Sequence, residues 1–251
     1  MFFYFISKKK IRFDFESSNS TVIGAHNDST KSVEYSEQHN MIVSGSWDKT
    51  ISFWDKNTSK QIYTVNQPER VYSMALSPNG NYLTVAHAER TIHIYDLRKY
   101  QKYIQKRNSP LTEQTRSLTA MPDNKGFTLS SMEGRVAVEY FDSSSSVQKS
   151  KYAFKCHRNV DKNSNETIYS VNAMAFNPSD LVFATGGSDG FVNIWDLKKK
   201  KKILQLHNYS SSIASLSYSP DGSKLAISAS YMWENGDPST NHREAIYIRN
   251  N

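Results

Sequence analysis

Apolar and polar residues alternate along most of this chain in runs of five or six, and the runs recur at intervals of about forty residues. Four segments align: 45–55 (GSWDKTISFWD), 87–96 (HAERTIHIYD), 131–140 (SMEGRVAVEY) and 187–196 (GSDGFVNIWD). In each, an acidic residue (Asp48, Glu89, Glu133 or Asp189) opens a tight turn ahead of a strand. The alternate residues Ile51/Phe53, Ile92/Ile94, Val136/Val138 and Val192/Ile194 predict one buried face per strand. Upstream lie a further strand, a turn and another strand, as in 71–80 (VYSMALSPNG) followed by 82–86, 171–178 (VNAMAFNP) followed by 182–186, and 213–222 (IASLSYSPDG) followed by 224–228. Asn79-Gly80 and Asp221-Gly222 are hairpin signals, because Gly and Asn tolerate the positive φ such turns need. A less regular fourth strand follows at 60–65 and 201–206.

A four-stranded unit repeated at this period, with Trp54-Asp55 and Trp195-Asp196 at strand ends and Tyr95-Asp96 as a relaxed form, matches the blade of a WD-repeat β-propeller. The expected fold is therefore all-β: one propeller domain over residues 1–251, with blades at 31–69, 70–114, 115–167, 168–211 and 212–251. Residues 1–30 are expected to form a partial blade and its connection. Since an open propeller would leave strand edges bare to water, the count of five and a part favours a chain truncated at its N-terminus over an incomplete ring. In the last blade the second hairpin expands to residues 231–244, expected to be exposed. Asp48 and Asp189 are expected to be structural, locking neighbouring strands by accepting hydrogen bonds, and the Trp residues to be packing residues.

Composition sharpens this picture without redirecting it. An aromatic share of 12% among 251 residues suits pleated, half-buried surfaces. A single cysteine, Cys156, excludes an internal disulfide and a cysteine-based zinc site, and fits a reducing compartment. The apolar start MFFYFI is far shorter than the roughly 20 residues that span a bilayer and lacks the flanks of a secretory signal, so a soluble intracellular protein is expected. The net charge of +7 comes largely from Lys8–Lys10 and Lys198–Lys202, beside strand ends where lysines stay hydrated, so direct nucleic-acid binding is not the favoured reading.

Chemistry of the chain's own is not legible. The histidines at 26, 39, 87, 93, 157, 207 and 242 lack metal-ligand spacing, no phosphate-binding glycine loop occurs, and no nucleophile stands with a base. His26 follows Gly24-Ala25 where WD repeats commonly carry a Gly-His pair, which gives it a structural role. No enzyme, cofactor, metal or membrane contact is expected.

Four phrases are more specific than the blade pattern: 130–140 (SSMEGRVAVEY), 151–158 (KYAFKCHR), 184–196 (ATGGSDGFVNIWD) and 211–216 (SSIASL). They resemble the Bub-three family of spindle-assembly-checkpoint proteins and its relative, the messenger-RNA export factor Rae-one. Residues 45–48, 66–72, 114–116 and 147–154 tilt the resemblance toward Bub-three. It implies a nuclear, kinetochore-bound scaffold that takes up acidic GLEBS motifs of checkpoint kinases and inhibitors. At that site Arg158 would meet glutamates through an arginine fork and Trp47 would give apolar contact. With Arg158 expected at the surface, Arg158→Glu should abolish peptide capture and spare the fold. The resemblance further implies reading of phosphothreonine in MELT repeats of a kinetochore scaffold. Lys201 matches one basic residue used for that, Ser179 stands where relatives carry an arginine, and the family's first-blade tryptophan has no match here. The alternative is an export adaptor binding a nucleoporin GLEBS motif.

Overall fold

The computed structural model describes residues 2–6, 9–14, 19–58, 60–233, 236 and 243–250, with the strands before residue 20 defined by their backbone. The chain falls into two compact units, Met1–Ser109 and Pro110–Asn251. The first holds a three-stranded sheet of β1 (Phe2–Ile6), β2 (Lys9–Asp14) and β3 (Asn19–Ala25), then two four-stranded sheets. These are β4 (Thr30–Ser36), β5 (Met41–Ser46), β6 (Thr50–Asp55) and β7 (Gln61–Asn66), followed by β8 (Val71–Leu76), β9 (Tyr82–His87), β10 (Thr91–Asp96) and β11 (Gln105–Asn108).

The second unit repeats the plan. One sheet is β12 (Thr115–Ala120), β13 (Gly126–Ser131), β14 (Arg135–Tyr140) and β15 (Tyr152–Lys155). A separate two-stranded ribbon of β16 (Arg158–Val160) and β17 (Glu166–Ile168) follows. The next sheet is β18 (Val171–Phe176), β19 (Val182–Gly187), β20 (Val192–Asp196) and β21 (Lys201–Gln205). A three-stranded sheet of β22 (Ile213–Tyr218), β23 (Lys224–Ala229) and β24 (Ala245–Asn250) ends the described chain. All pairings are antiparallel between sequence neighbours, the arrangement that short turns impose.

Within each unit, successive sheets stack face to face and share a core. Ile51 and Phe53 cluster with Val71, Met74, Leu83 and Val85 of the following sheet. Val136 and Val138 meet Val171, Met174 and Phe183, and Val192 and Ile194 meet Ile213, Leu216 and Leu225. The rule is the same each time: a pair of alternate apolar residues on the third strand receives a Val/Ile-x-x-Met/Leu pair from the next inner strand. The third strands depart from the expected single buried face: Ser52 on β6, His93 on β10, Ala137 on β14 and Asn193 on β20 point away from those apolar pairs yet are buried too. Ile246 and Ile248 stand on β24 where Val192 and Ile194 stand on β20, but are exposed.

One irregularity recurs in five sheets. The pairing of first and second strands slips at Thr30/Ser32, Val71/Ser73, Thr115/Ser117, Val171/Ala173 and Ile213/Ser215. A bulge placed at the start of every inner strand bends it and raises its twist, as stacking of short sheets requires. Neither the ribbon nor the short helix Ser145–Gln148 belongs to the repeating pattern of the sequence. Of the 231–244 loop, Tyr231 and Met232 are half-buried and Trp233 is exposed. Residues 234, 235 and 237–242 lie outside the described residues, as do Lys8 and the side chains of Lys9 and Lys10.

Candidate functional site

The turn acids are where local sequence becomes geometry. Asp48, between β5 and β6, accepts from the Thr50 N–H at 3.0 Å, the Thr50 hydroxyl at 2.6 Å and the Asn27 N–H at 2.9 Å. Its other partner is His26, whose Nδ1 lies 2.9 Å away. An ionised carboxylate only accepts, so Nδ1 carries the imidazole proton and Nε2 is left to accept from the Ser44 hydroxyl at 3.0 Å. Ser44 in turn accepts from the Trp54 indole N–H at 2.9 Å. The chain of bonds runs Trp54, Ser44, His26, Asp48, and ties the third strand to the second and to the segment entering the sheet. Burial alone would raise the Asp48 carboxyl, but the bonds from Thr50, Asn27 and His26 carry it below its usual range.

The second unit builds the same network from other residues. His157 Nδ1 lies 2.9 Å from Asp189, its Nε2 lies 2.8 Å from the Thr185 hydroxyl, and the Trp195 indole donates to that hydroxyl at 2.9 Å. Both aspartates accept hydrogen bonds from a histidine ring and from turn N–H groups in this geometry. The residue after each acid takes a left-handed conformation, φ 64° at Lys49 and 74° at Gly190, which closes the turn. Glu133 keeps the role with a shorter network, accepting from the Thr112 N–H at 2.8 Å and hydroxyl at 2.7 Å.

Trp47 sits at the tip of the β5–β6 turn, held by its backbone N–H to the Ser29 carbonyl at 3.0 Å. Its ring is 38% exposed and the Arg70 guanidinium carbon lies 5.8 Å from the ring centroid. A flat apolar surface with a cation beside it, on a turn pinned by the Asp48 network, is chemically fit to hold an apolar and acidic segment. In the second unit Arg158 is not the free surface arginine the sequence predicts, because its side chain is only 11% exposed. One terminal nitrogen donates to the Glu133 carbonyl at 2.6 Å, Nε donates to the Gly134 carbonyl at 3.4 Å, and the other terminal nitrogen donates to Glu166 at 2.8 Å. The backbone therefore takes up part of the fork, and a carboxylate sits on what remains.

Lys201 opens β21 exposed, opposite Asp196 in the β20–β21 register. Its neighbours are occupied, Lys199 by Asp196 at 3.1 Å and Lys200 by the Tyr152 ring at 4.6 Å. Ser179 lines a shallow cleft of about 400 Å³ with Lys125, Lys198, Asp123 and Asp180, and Lys201 is not among its lining residues. Two aspartates beside two lysines leave that cleft without the strong positive excess a phosphate would draw on. Among the described residues no group of three His, Cys, Asp or Glu side chains could hold a metal ion, and no helix is long and apolar enough to cross a membrane.

In the sequence His157 is one of several scattered histidines. His26 precedes its aspartate by 22 residues and His157 by 32, and the β16–β17 ribbon inserted between His157 and β18 accounts for the difference. The usable signal is the pair of second-strand hydroxyls, Ser44 and Thr185, each ten residues before its Trp.

Comparison with known proteins agrees with this geometry. The family described as "WD domain, G-beta repeat" matches residues 17–55, 59–96 and 149–196. Mitotic checkpoint protein BUB3.1 of Arabidopsis thaliana is 45% identical over 243 residues, 95% of this chain and 70% of the relative. Mitotic checkpoint protein bub-3 of Caenorhabditis elegans is 43% identical over 94% of this chain and 69% of its own. The mRNA export factor GLE2 of Chaetomium thermophilum is 34% identical over 89% of this chain and 62% of its own. A chain of a crystal structure described as mitotic checkpoint complex superposes with a TM-score of 0.74 at 17% identity, covering 90% of this chain and 66% of that one. The fold is thus a WD-repeat β-propeller.

Proposed function

The chain belongs to the family of Bub-three mitotic checkpoint proteins, and from that premise we propose that it works as a non-catalytic interaction scaffold of the spindle assembly checkpoint. In this reading it binds GLEBS-type acidic motifs of checkpoint kinases and inhibitors and brings them to kinetochores in the nucleus. The observation that carries the proposal is 45% identity maintained across 95% of the chain. Two features support its chemistry: the Trp47 ring is presented on a rigid turn, and the Arg158 guanidinium already engages a carboxylate. Reading of phosphorylated MELT repeats through Lys201 is part of the same proposal and rests on resemblance.

A second reading, an export adaptor binding a nucleoporin GLEBS motif, is kept because the mRNA export factor GLE2 is 34% identical over 89% of this chain. Immobilised GLEBS peptides separate the two. Capture of this chain by peptides of checkpoint kinases, with weak capture by a nucleoporin peptide, is the expected result, and the opposite preference refutes the checkpoint assignment. The site is probed with Arg158→Gln in place of Arg158→Glu, because a glutamate there would face Glu166 and leave the Glu133 and Gly134 carbonyls without their donor.

A further inference from the structure

The ribbon that begins with Arg158 belongs to none of the four-stranded sheets. Its register pairs Arg158 with Ile168, Asn159 with Thr167 and Val160 with Glu166. Residues two apart share a face of a strand, so Arg158, Val160, Glu166 and Ile168 lie on one side of the ribbon. Glu166 reaches Arg158 along the diagonal of the pairing, a distance that long side chains span. Val160 and Ile168 on that face are exposed. The result is an ion pair flanked by uncovered apolar side chains.

The partners of Arg158 are unequal. The carbonyls of Glu133 and Gly134 belong to a turn whose glycine, at φ 60°, lies so close to the Cys156 and Tyr169 carbonyls that a Cβ there would come within 2.8 and 3.0 Å of them. Those two hydrogen bonds are accepted by backbone carbonyls of a closely packed turn. Glu166 is held by side-chain contact alone and is 38% exposed. Of everything bound to the guanidinium, it is the group that can leave.

We infer that Glu166 is a built-in competitor for Arg158: it holds the one carboxylate position of the guanidinium in the ligand-free protein, and an incoming acidic peptide must displace it. This rests on the reading of Arg158 as a docking residue. It adds that the site takes one carboxylate beside apolar side chains suited to Val160 and Ile168. A lone carboxylate gains nothing by replacing an equal one, whereas a peptide that also covers Val160 and Ile168 does. Selectivity for a mixed acidic and apolar segment over merely acidic ones follows.

The test is titration of the full chain, its Glu166→Gln variant and its Arg158→Gln variant with a fluorescein-labelled GLEBS-type peptide and a copy whose glutamates are glutamines. Thermal melts of all three confirm folding. Glu166→Gln should tighten the acidic peptide by about threefold to fivefold, the range set by a partly exposed ion pair. The glutamine copy should show no such gain. Unchanged or weaker binding by Glu166→Gln, with Arg158→Gln still abolishing it, overturns the competitor and leaves the docking reading standing. Arg158→Gln at wild-type affinity, or no binding by either the wild type or Glu166→Gln, overturns both.

Discussion

Two neighbouring sheets of the first unit meet one structural demand with different chemistry. In β4–β7 the turn acid is wired through His26 and Ser44 to Trp54, a network with a formal charge at one end. In β8–β11 the place of His26 is taken by Gln67. Its Oε1 lies 2.8 Å from His87 Nε2 and accepts from the Tyr95 hydroxyl at 3.1 Å, and its Nε2 lies 3.2 Å from the Val65 carbonyl. Tyr95 stands where Trp54 stands, and Glu89, the turn acid at φ 60°, is exposed and among the described residues stays outside this cluster. The first sheet locks its turn with a carboxylate, while the second buries a neutral polar cluster. Repeat proteins tolerate such exchange because each blade needs its buried polar groups satisfied, by whichever partners its own sequence offers.

The largest break in the comparison comes from Asp48→Ala. It leaves His26 Nδ1 and the N–H groups of Asn27 and Thr50 without their common acceptor, and should cost about 2–4 kcal/mol in urea unfolding. Glu89→Ala, the equivalent change next door, should stay within about 0.5 kcal/mol. Equal losses would show that the two turns do not differ in the way described.

This contrast also shows what the sequence could carry. The strands, their order and the apolar pairs such as Ile51/Phe53 and Val192/Ile194 were legible, because burial on a pleated strand writes a period of two. The positions of Asp48 and Asp189 at the turns were legible because the acid opens each repeat, and there each accepts hydrogen bonds from its neighbours. Gln67 was not, since a glutamine after a strand carries no pattern of its own, and its role appears only when His87 and Tyr95 converge on it. The occupied state of Arg158 was hidden for a similar reason. Glu166 lies eight residues on, in a ribbon absent from the repeat. Nothing in an aligned blade announces an insertion that folds back on the residue before it.

Acid separates the two clusters next. Burial, reinforced by His93 alongside, pushes His87 down to about 4, and burial with the Lys106 charge does the same to His93. A histidine whose folded pKa lies below its unfolded value near 6.5 takes up protons more readily when unfolded. Its contribution is complete above pH 6.5 and is lost as pH falls toward 4. The slope in that window should reach up to about 1.4 kcal/mol per pH unit for His87 and less for His93, which lies closer to solvent. Asp48, held below the ordinary carboxylate range, loses its contribution only at lower pH. Urea unfolding at pH 7, 5.5 and 4.5 checks this. A His93→Phe variant should flatten the decline between pH 6.5 and 4, and an unchanged slope would assign the acid sensitivity to another region.

The smallest change is the sharpest probe of the neutral cluster. Burial drives the Tyr95 phenol up to about 12, so it stays protonated and serves only as a hydrogen-bonding group. Its hydroxyl lies 3.0 Å from Gln67 Nε2 and 3.1 Å from Gln67 Oε1. In Tyr95→Phe the amide keeps the Val65 carbonyl and His87 as partners, so no buried donor or acceptor is stranded. The loss should therefore be that of one net hydrogen bond, about 1 kcal/mol, with little change in the pH slope. A loss near that of Asp48→Ala would mean that the hydroxyl fixes the orientation of the Gln67 amide. The second sheet would then be locked as tightly as the first, by a single neutral side chain in place of a carboxylate.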